Sequence, residues 1–257
     1  MNEQLNIALV QTSIVWENPK ANRTILSQKL NTIKSDVDLI ILPEMFTSGF
    51  TMNPKNLEDS EGENTVAWMQ EIAATKNMAI VGSIPFYENN KYTNRLFFIT
   101  ADGEKYNYDK KHTFTLAGED KVYQSGLKRL IVSYKGFNIC PMICYDLRFP
   151  VWARFKNDYD VLIYVANWPE PRIAAWDILL KARAIENLSY CVGVNRIGED
   201  ENGLKYSGHS AVFDALGNQL CFSTKEEVIY STIEKSQLIN TRKKLMFLED
   251  KDDFKFI

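Results

Sequence analysis

Histidine is the scarcest residue in this sequence: 257 residues contain two, His112 and His209. Neither stands in the setting of a cysteine protease, where a thiol needs an imidazole base. Cysteine is nearly as sparse, with four, at positions 140, 144, 191 and 221. Disulfide-built secreted domains are shorter and far denser in cysteine. Cys140 and Cys144 lie close together, but no second close pair completes a zinc ligand set. The glycines form no phosphate-cradling or dinucleotide-binding motif. No basic excess exists either: the net charge is −3, which gives no electrostatic footprint for nucleic acid. Long apolar runs are missing, and a segment such as 39–43 is far too short to span a bilayer. The amino-terminal MNEQLNIALVQTS has neither the basic start nor the long apolar run of a signal peptide. A cytoplasmic protein with free thiols is the expectation. No Ser/Gly/Pro-rich linker and no repeat divides the chain. We read one domain over 1–257, with a core over about 4–234 and a charged tail over 235–257.

What is present is an alternation of apolar β-rich segments with amphipathic helical ones. Segment 5–11 reads as a buried strand. Asn18-Pro19 is a helix start, a capping side chain followed by proline, and Ile25, Leu26, Leu30 and Ile33 then share one face. Strands follow at 38–42 and 78–85, separated by a helix carrying Val66, Met69 and Ala73. Hairpins are expected over 92–110, turning at Ala101-Asp102-Gly103, and over 130–144, turning near Lys135-Gly136. A strand over 160–167 precedes a helix from Arg172 to Ser189, and strands at 190–196, 206–214, 218–222 and 228–233 complete the chain. The fold class is α/β, and the hairpins argue against a purely parallel sheet.

Three short segments carry the chemistry. Leu42-Pro43-Glu44 sets a carboxylate at the carboxyl end of an apolar strand, where open α/β sheets place ligands. For a single glutamate, a water-facing acid is the plainer reading. Tyr108-Asp109-Lys110-Lys111-His112 places a lysine after another strand, where a fixed positive charge can stabilise an oxyanion. Taken alone, a solvated basic turn explains it as well. In the third, an apolar strand delivers Cys144 to the turn Cys144-Tyr145-Asp146-Leu147-Arg148-Phe149-Pro150. Backbone N–H groups and a nearby lysine there favour a thiolate. The other three cysteines lie within apolar strands and read as inert core thiols.

At these segments the sequence closely resembles the nitrilase superfamily of carbon–nitrogen hydrolases. The family pattern of a glutamate in L-P-E-x-F, a lysine in Y-x-K-x-H-x-F and a cysteine in C-Y-D-x-R-F-P occurs here in order, at 44, 110 and 144. Thr113 departs from it, since an apolar residue commonly follows the histidine. The resemblance spans nearly the whole chain, from Val10-Gln11 past Ser207-Gly208-His209-Ser210. The block from Asn167-Trp168-Pro169 through Arg172 to Gly198 looks like the bacterial omega-amidase branch, which acts on omega-amides of small 2-oxo dicarboxylates.

The resemblance implies an α-β-β-α sandwich that dimerises through helices, with no metal or organic cofactor. It implies that Cys144 attacks a small carboxamide, that Glu44 moves the proton, and that Lys110 and the Tyr145 N–H hold the oxyanion. Glu119 is the candidate for the family's second glutamate. The substrate carboxylate needs a cation, and Arg172 is set slightly above Arg148, which also suits an ion pair with Asp146 or Glu186. Trp168 and Phe46 are candidate pocket walls, with core packing an equal reading of both. Two other readings stay open. One is a different amidase of the superfamily, acting on deaminated glutathione, N-carbamoyl compounds or nitriles. The other is a catalytically silent binding protein, against which the intact Glu44, Lys110 and Cys144 argue.

Overall fold

The computed structural model describes residues 3–255. The chain opens with β1 (Gln4–Gln11), whose alternate side chains serve two different cores. Leu5, Ile7 and Leu9 point into one apolar layer, while Ala8 and Val10 point into another. Helix α1 (Pro19–Leu30) starts as expected: Ala21 N–H donates to the Asn18 side chain at 3.0 Å, and Pro19 occupies the first turn. Leu26 and Leu30 are buried. Ile25, expected on the same face, is 37% exposed, and Ile33 is buried beyond the helix end. Strand β2 (Leu39–Ile41), helix α2 (Glu61–Lys76), and strands β3 (Ala79–Glu88), β4 (Lys91–Ile99) and β5 (Lys105–Asp109) follow. β1, β2 and β3 run parallel, and β4 and β5 return antiparallel. Asn89 and Asn90, both at positive φ, close the tight turn between β3 and β4.

The second half repeats the theme. The hairpin β6 (Val132–Tyr134) and β7 (Phe137–Ile143) leads into the short helix α3 (Pro150–Ala153). Strand β8 (Val161–Ala166), helix α4 (Ile173–Asn187) and strand β9 (Tyr190–Asn195) come next, with β7, β8 and β9 parallel. Strands β10 (Ile197–Glu199) and β11 (Lys205–Ser207) form a small separate ribbon. Then come β12 (Ser210–Phe213), β13 (Gln219–Ser223), β14 (Glu227–Glu234) and helix α5 (Lys235–Leu245). One six-stranded sheet has the order β14-β1-β2-β3-β4-β5 and the other β13-β12-β9-β8-β7-β6.

Residues of both sheets share one apolar core, including Leu9, Ile41 and Phe98 from the first and Met142, Ile163 and Val192 from the second. Helices α1 and α2 cover the outer face of the first sheet through Leu26, Leu30, Val66 and Met69. Helix α4 covers the second through Trp176, Leu180 and Ala184. The architecture is therefore the α-β-β-α sandwich. Among the described residues, no helix is long and apolar enough to cross a membrane.

Two expectations are corrected. The strand expected over 206–214 is two strands, because Gly208 and His209 both take positive φ and break it. A tail was expected from 235, yet 235–245 is helical. Leu238 of α5 is buried, and Arg242 donates to the backbone oxygens of Leu188 (2.8 Å) and Tyr159 (2.9 Å). These tertiary contacts hold a helix whose own pattern is too polar to announce itself.

Gly193 on β9 shows how closely α4 lies on its sheet. A Cβ there would stand 2.4 Å from Leu180 Cδ1 and 2.7 Å from Trp176 Cζ2. Gly193→Ala is expected to cost about 1–3 kcal/mol through overpacking, read as a lower urea midpoint at unchanged slope.

Candidate active site

Glu44, Lys110 and Cys144 each follow the carboxyl end of a strand, β2, β5 and β7 respectively. The two sheets bring these ends together. Lys110 Nζ lies 2.8 Å from Glu44 Oε1, and 2.8 and 3.0 Å from the two oxygens of Glu119. All three side chains are essentially excluded from solvent. Glu119 comes from a one-turn 3₁₀ segment (Glu119–Lys121), and the Phe114 N–H donates to it at 2.6 Å. The second-glutamate candidate thus sits on the lysine.

Two residues that sequence reasoning left without a role complete the cage. Asn94 of β4 donates to Glu44 Oε1 at 2.8 Å and to Glu119 Oε1 at 3.1 Å. The Asn167 N–H, just past β8, donates to Glu44 Oε2 at 2.9 Å, and its amide donates to the Glu44 backbone oxygen at 2.7 Å. A signal for Asn94 existed: an amide within an apolar strand needs buried partners.

Cys144 opens a 3₁₀ turn (Cys144–Arg148) with its own φ at +43°. Met45, just after Glu44, has φ +44°. Non-glycine residues in the left-handed region cost about 1–3 kcal/mol and persist where surrounding contacts enforce them. Cys144 Sγ is 4.0 Å from the Asn167 backbone oxygen.

The electrostatics run against the expectation that the turn and a nearby lysine favour the thiolate. Burial, reinforced by the Glu44 charge, pushes the Cys144 thiol well above its ordinary pKa, and Lys110 only partly opposes this. Burial works against the Lys110 charge, but Glu119 and Glu44 outweigh it and hold the ammonium strongly protonated. Burial and the neighbouring Glu44 raise the Glu119 carboxyl, against the pull of Lys110. With two carboxylates around one ammonium, a thiolate would be a further uncompensated charge. Burial and the two carboxylates therefore favour the neutral thiol over the thiolate.

Above this cage opens a cavity of about 340 Å³, lined by Cys144, Lys110, Tyr145, Asn167, Trp168, Arg148, Arg172, Phe50, Phe114 and Tyr206 among others. Trp168 is thus a wall. Phe46 is not: it is fully buried and packs on Trp68 at 6.0 Å, in the layer under α1 and α2. Phe50 and Phe114 take the place expected of it. Arg148 forms no ion pair with Asp146 or Glu186. Its guanidinium lies over the Trp168 ring at 4.9 Å, while Asp146 turns inward and Glu186 pairs with Arg183 at 2.9 Å. Arg172 lies over the Phe114 ring at 5.4 Å. Among the described residues neither arginine has a carboxylate partner, and both face the cavity. His112 bonds Asp146 at 2.7 Å and His209 bonds Asp177 at 3.0 Å, so neither faces the thiol.

The carbon-nitrogen hydrolase family model matches residues 6–243. The chain belongs to the carbon-nitrogen hydrolase family. As such it is a hydrolase of carbon–nitrogen bonds other than peptide bonds. It is similar to the omega-amidase YafV of Yersinia enterocolitica, with 42% identity over 83% of this chain and 82% of that protein. To the omega-amidase YafV of Escherichia coli K12 it is 39% identical over 98% of both chains. A 2-oxoglutaramate amidase of Bacillus subtilis is 28% identical over 95% of this chain and 96% of that protein. The crystal structure of a CN-hydrolase superfamily protein from Xanthomonas campestris, which carries an arsenic adduct in its active site, superposes with a TM-score of 0.95. The two are 40% identical and cover 99% of each other.

A neutral resting thiol has a direct consequence. Only the thiolate reacts with iodoacetamide, so a raised pKa keeps the reactive fraction small through the neutral range. Alkylation of Cys144, followed by mass spectrometry, is expected to be still rising with pH above about pH 9. A plateau near neutrality would mean a thiolate already formed.

Proposed function

We infer that this carbon-nitrogen hydrolase is a cysteine-dependent omega-amidase, releasing ammonia from the omega-amide of small 2-oxo dicarboxylates such as 2-oxoglutaramate and 2-oxosuccinamate. The observation that carries this reading is one cavity with the Cys144 thiol and the Lys110 ammonium in its lining, the Glu44 carboxylate buried behind them on Lys110, and two guanidinium groups on its walls that have no carboxylate partner among the described residues. An amide is a poor electrophile and ammonia a poor leaving group, so a nucleophile, an oxyanion site and a proton donor are all required.

Cys144 Sγ attacks the amide carbon as its proton passes to Glu44, so the thiolate never stands free. The oxyanion is held by Lys110 Nζ and by the Tyr145 N–H, which lies in the first turn after Cys144, where backbone N–H groups have no intrahelical partner. The tetrahedral adduct collapses, the C–N bond breaks, and Glu44 returns the proton to the departing ammonia. Water, deprotonated by Glu44, then attacks the thioester. The adduct expels the Cys144 sulfur as Glu44 returns the proton to it, and the carboxylic acid leaves. Glu119 and Asn94 keep Lys110 charged and Glu44 aimed. Arg172 pairs with the substrate carboxylate across the cavity from Cys144, with Arg148 beside it.

The working form is read as a homodimer in the reducing cytoplasm. Ile178 and Ile185 on α4, Val151 on α3 and Leu216 stand exposed, a greasy face that a second copy would cover. All four cysteines are unpaired, and a thiol nucleophile needs a compartment that keeps it so.

Ammonia release across small amides and nitriles tests the reading. 2-oxoglutaramate or 2-oxosuccinamate should be hydrolysed far better than neutral amides or nitriles of similar size. Preference for the latter would retain the family and overturn the substrate. Cys144→Ala is expected to abolish turnover with the thermal midpoint essentially kept, and near-native activity in it would remove Cys144 as nucleophile. A charge-assisted pair is worth about 1.5–3 kcal/mol, so Arg172→Met should lower kcat/KM for the anionic substrate about ten- to a hundredfold and barely affect a neutral amide. An equal loss for both would make Arg172 structural and turn attention to Arg148.

A further inference from the structure

We propose that Asp146 is a positioning residue that sets Cys144 against Lys110, with Tyr108 and His112 as the other half of the same clamp. The proposal rests on the reading of Cys144 and Lys110 given above. Asp146 lies two residues past the thiol, inside the turn, and is fully buried. One of its oxygens accepts from the Ile143 N–H at 3.1 Å, immediately before Cys144. The same oxygen accepts from Tyr108 Oη at 2.7 Å. The other accepts from the His112 backbone N–H at 3.0 Å and meets His112 Nδ1 at 2.7 Å.

The arrangement is specific in sequence as well as in space. Tyr108 and His112 flank Lys110 symmetrically, two residues on either side. A single carboxylate therefore bonds both shoulders of the lysine and the residue preceding the cysteine. The lysine comes from one sheet and the cysteine from the other, so nothing in either sheet's own ladder fixes their mutual position. The clamp spans that junction. It is braced from behind: Tyr108 Oη also accepts from Trp152 Nε1 at 3.1 Å and from the Lys111 N–H at 3.2 Å. The His112 ring stacks on Phe149 at 3.8 Å, with planes 8° apart.

The strained backbone at Cys144 supplies the need for such a device. A φ of +43° at a cysteine relaxes unless the residues around it are tied down. Asp146 ties the preceding residue to the lysine strand. An asparagine in its place would present an NH₂ to at least one of four donors and would release part of the clamp. The acid serves the geometry of the nucleophile and touches no reacting atom.

Asp146→Asn and Tyr108→Phe test this, with Gly193→Ala, under α4 and outside the clamp, as a stability control. Kinetics are run well below each thermal midpoint. Displacement by about 1 Å costs on the order of a hundredfold, so Asp146→Asn should lower kcat about a hundredfold with KM within about threefold. Tyr108→Phe, which deletes the bond to Asp146 together with the two bracing bonds and keeps the ring, should lower kcat about tenfold with the same unchanged KM. Gly193→Ala should lose thermal midpoint and keep its kcat. If Asp146→Asn does not fold, Tyr108→Phe decides alone. A kcat within about threefold of the parent enzyme in the variants that fold, whatever their thermal midpoint, would overturn the proposal. If the parent enzyme releases ammonia from no small amide, the substrate reading fails separately. The clamp is then read from iodoacetamide alkylation of Cys144, which should slow about tenfold in both variants; an unchanged rate overturns it.

Discussion

The ion cluster of Lys110 between Glu44 and Glu119 is the interaction on which the rest of the site depends. Removing such groups from water costs several kcal/mol per ion, and the cluster survives only because every member is multiply bonded. Breaking it by removing one partner would leave a buried charge uncompensated. The cluster also decides the state of the thiol. Burial, reinforced by the Glu44 charge, raises the pKa of the Cys144 thiol, so the proposed nucleophile is activated as it attacks. Asn94 and Asn167 belong to the same unit, since they donate to the two carboxylate oxygens of Glu44 and fix its orientation.

The sandwich provides what this cluster requires. Strands β2, β5, β7 and β8 end at one place, although they belong to two sheets with different strand orders. Each sheet alone could present a carboxylate or a thiol at a strand end. Only their face-to-face packing buries the lysine between the two carboxylates while leaving the thiol at a cavity floor. The turn residues carry the strain of this junction: Met45 after Glu44 and Cys144 itself both sit in the left-handed region. The cavity walls above are aromatic and cationic, a combination suited to a small anion with an apolar chain between its ends.

Much of this was legible in the linear chain. Apolar periodicity located the strands, Asn18-Pro19 marked a helix start, and the turn residues marked the two hairpins of 92–110 and 130–144, because local backbone preference and burial pattern agree there. The three motif segments identified Glu44, Lys110 and Cys144, and a stretch as distinctive as Cys144 to Pro150 carried the family resemblance. The misreadings share one cause. Phe46, Arg148 and helix α5 were judged from neighbours in sequence, whereas their partners are remote: Trp68 for Phe46, Trp168 for Arg148, and the carbonyls of Tyr159 and Leu188 for Arg242.

The sequence by itself determined the elements, their α/β alternation and the chemical types at the strand ends, because these follow from side-chain period and local turn chemistry. It could not determine which remote polar groups would meet. Asn94 and Asn167 converge on Glu44 from two strands in different sheets, and Asp146 joins Tyr108 and His112 across the same junction. The protonation state of Cys144 belongs to the same category. A short thiol at a helical turn beside a lysine reads as a thiolate until burial and a second carboxylate are counted, and both exist only after the sheets have packed.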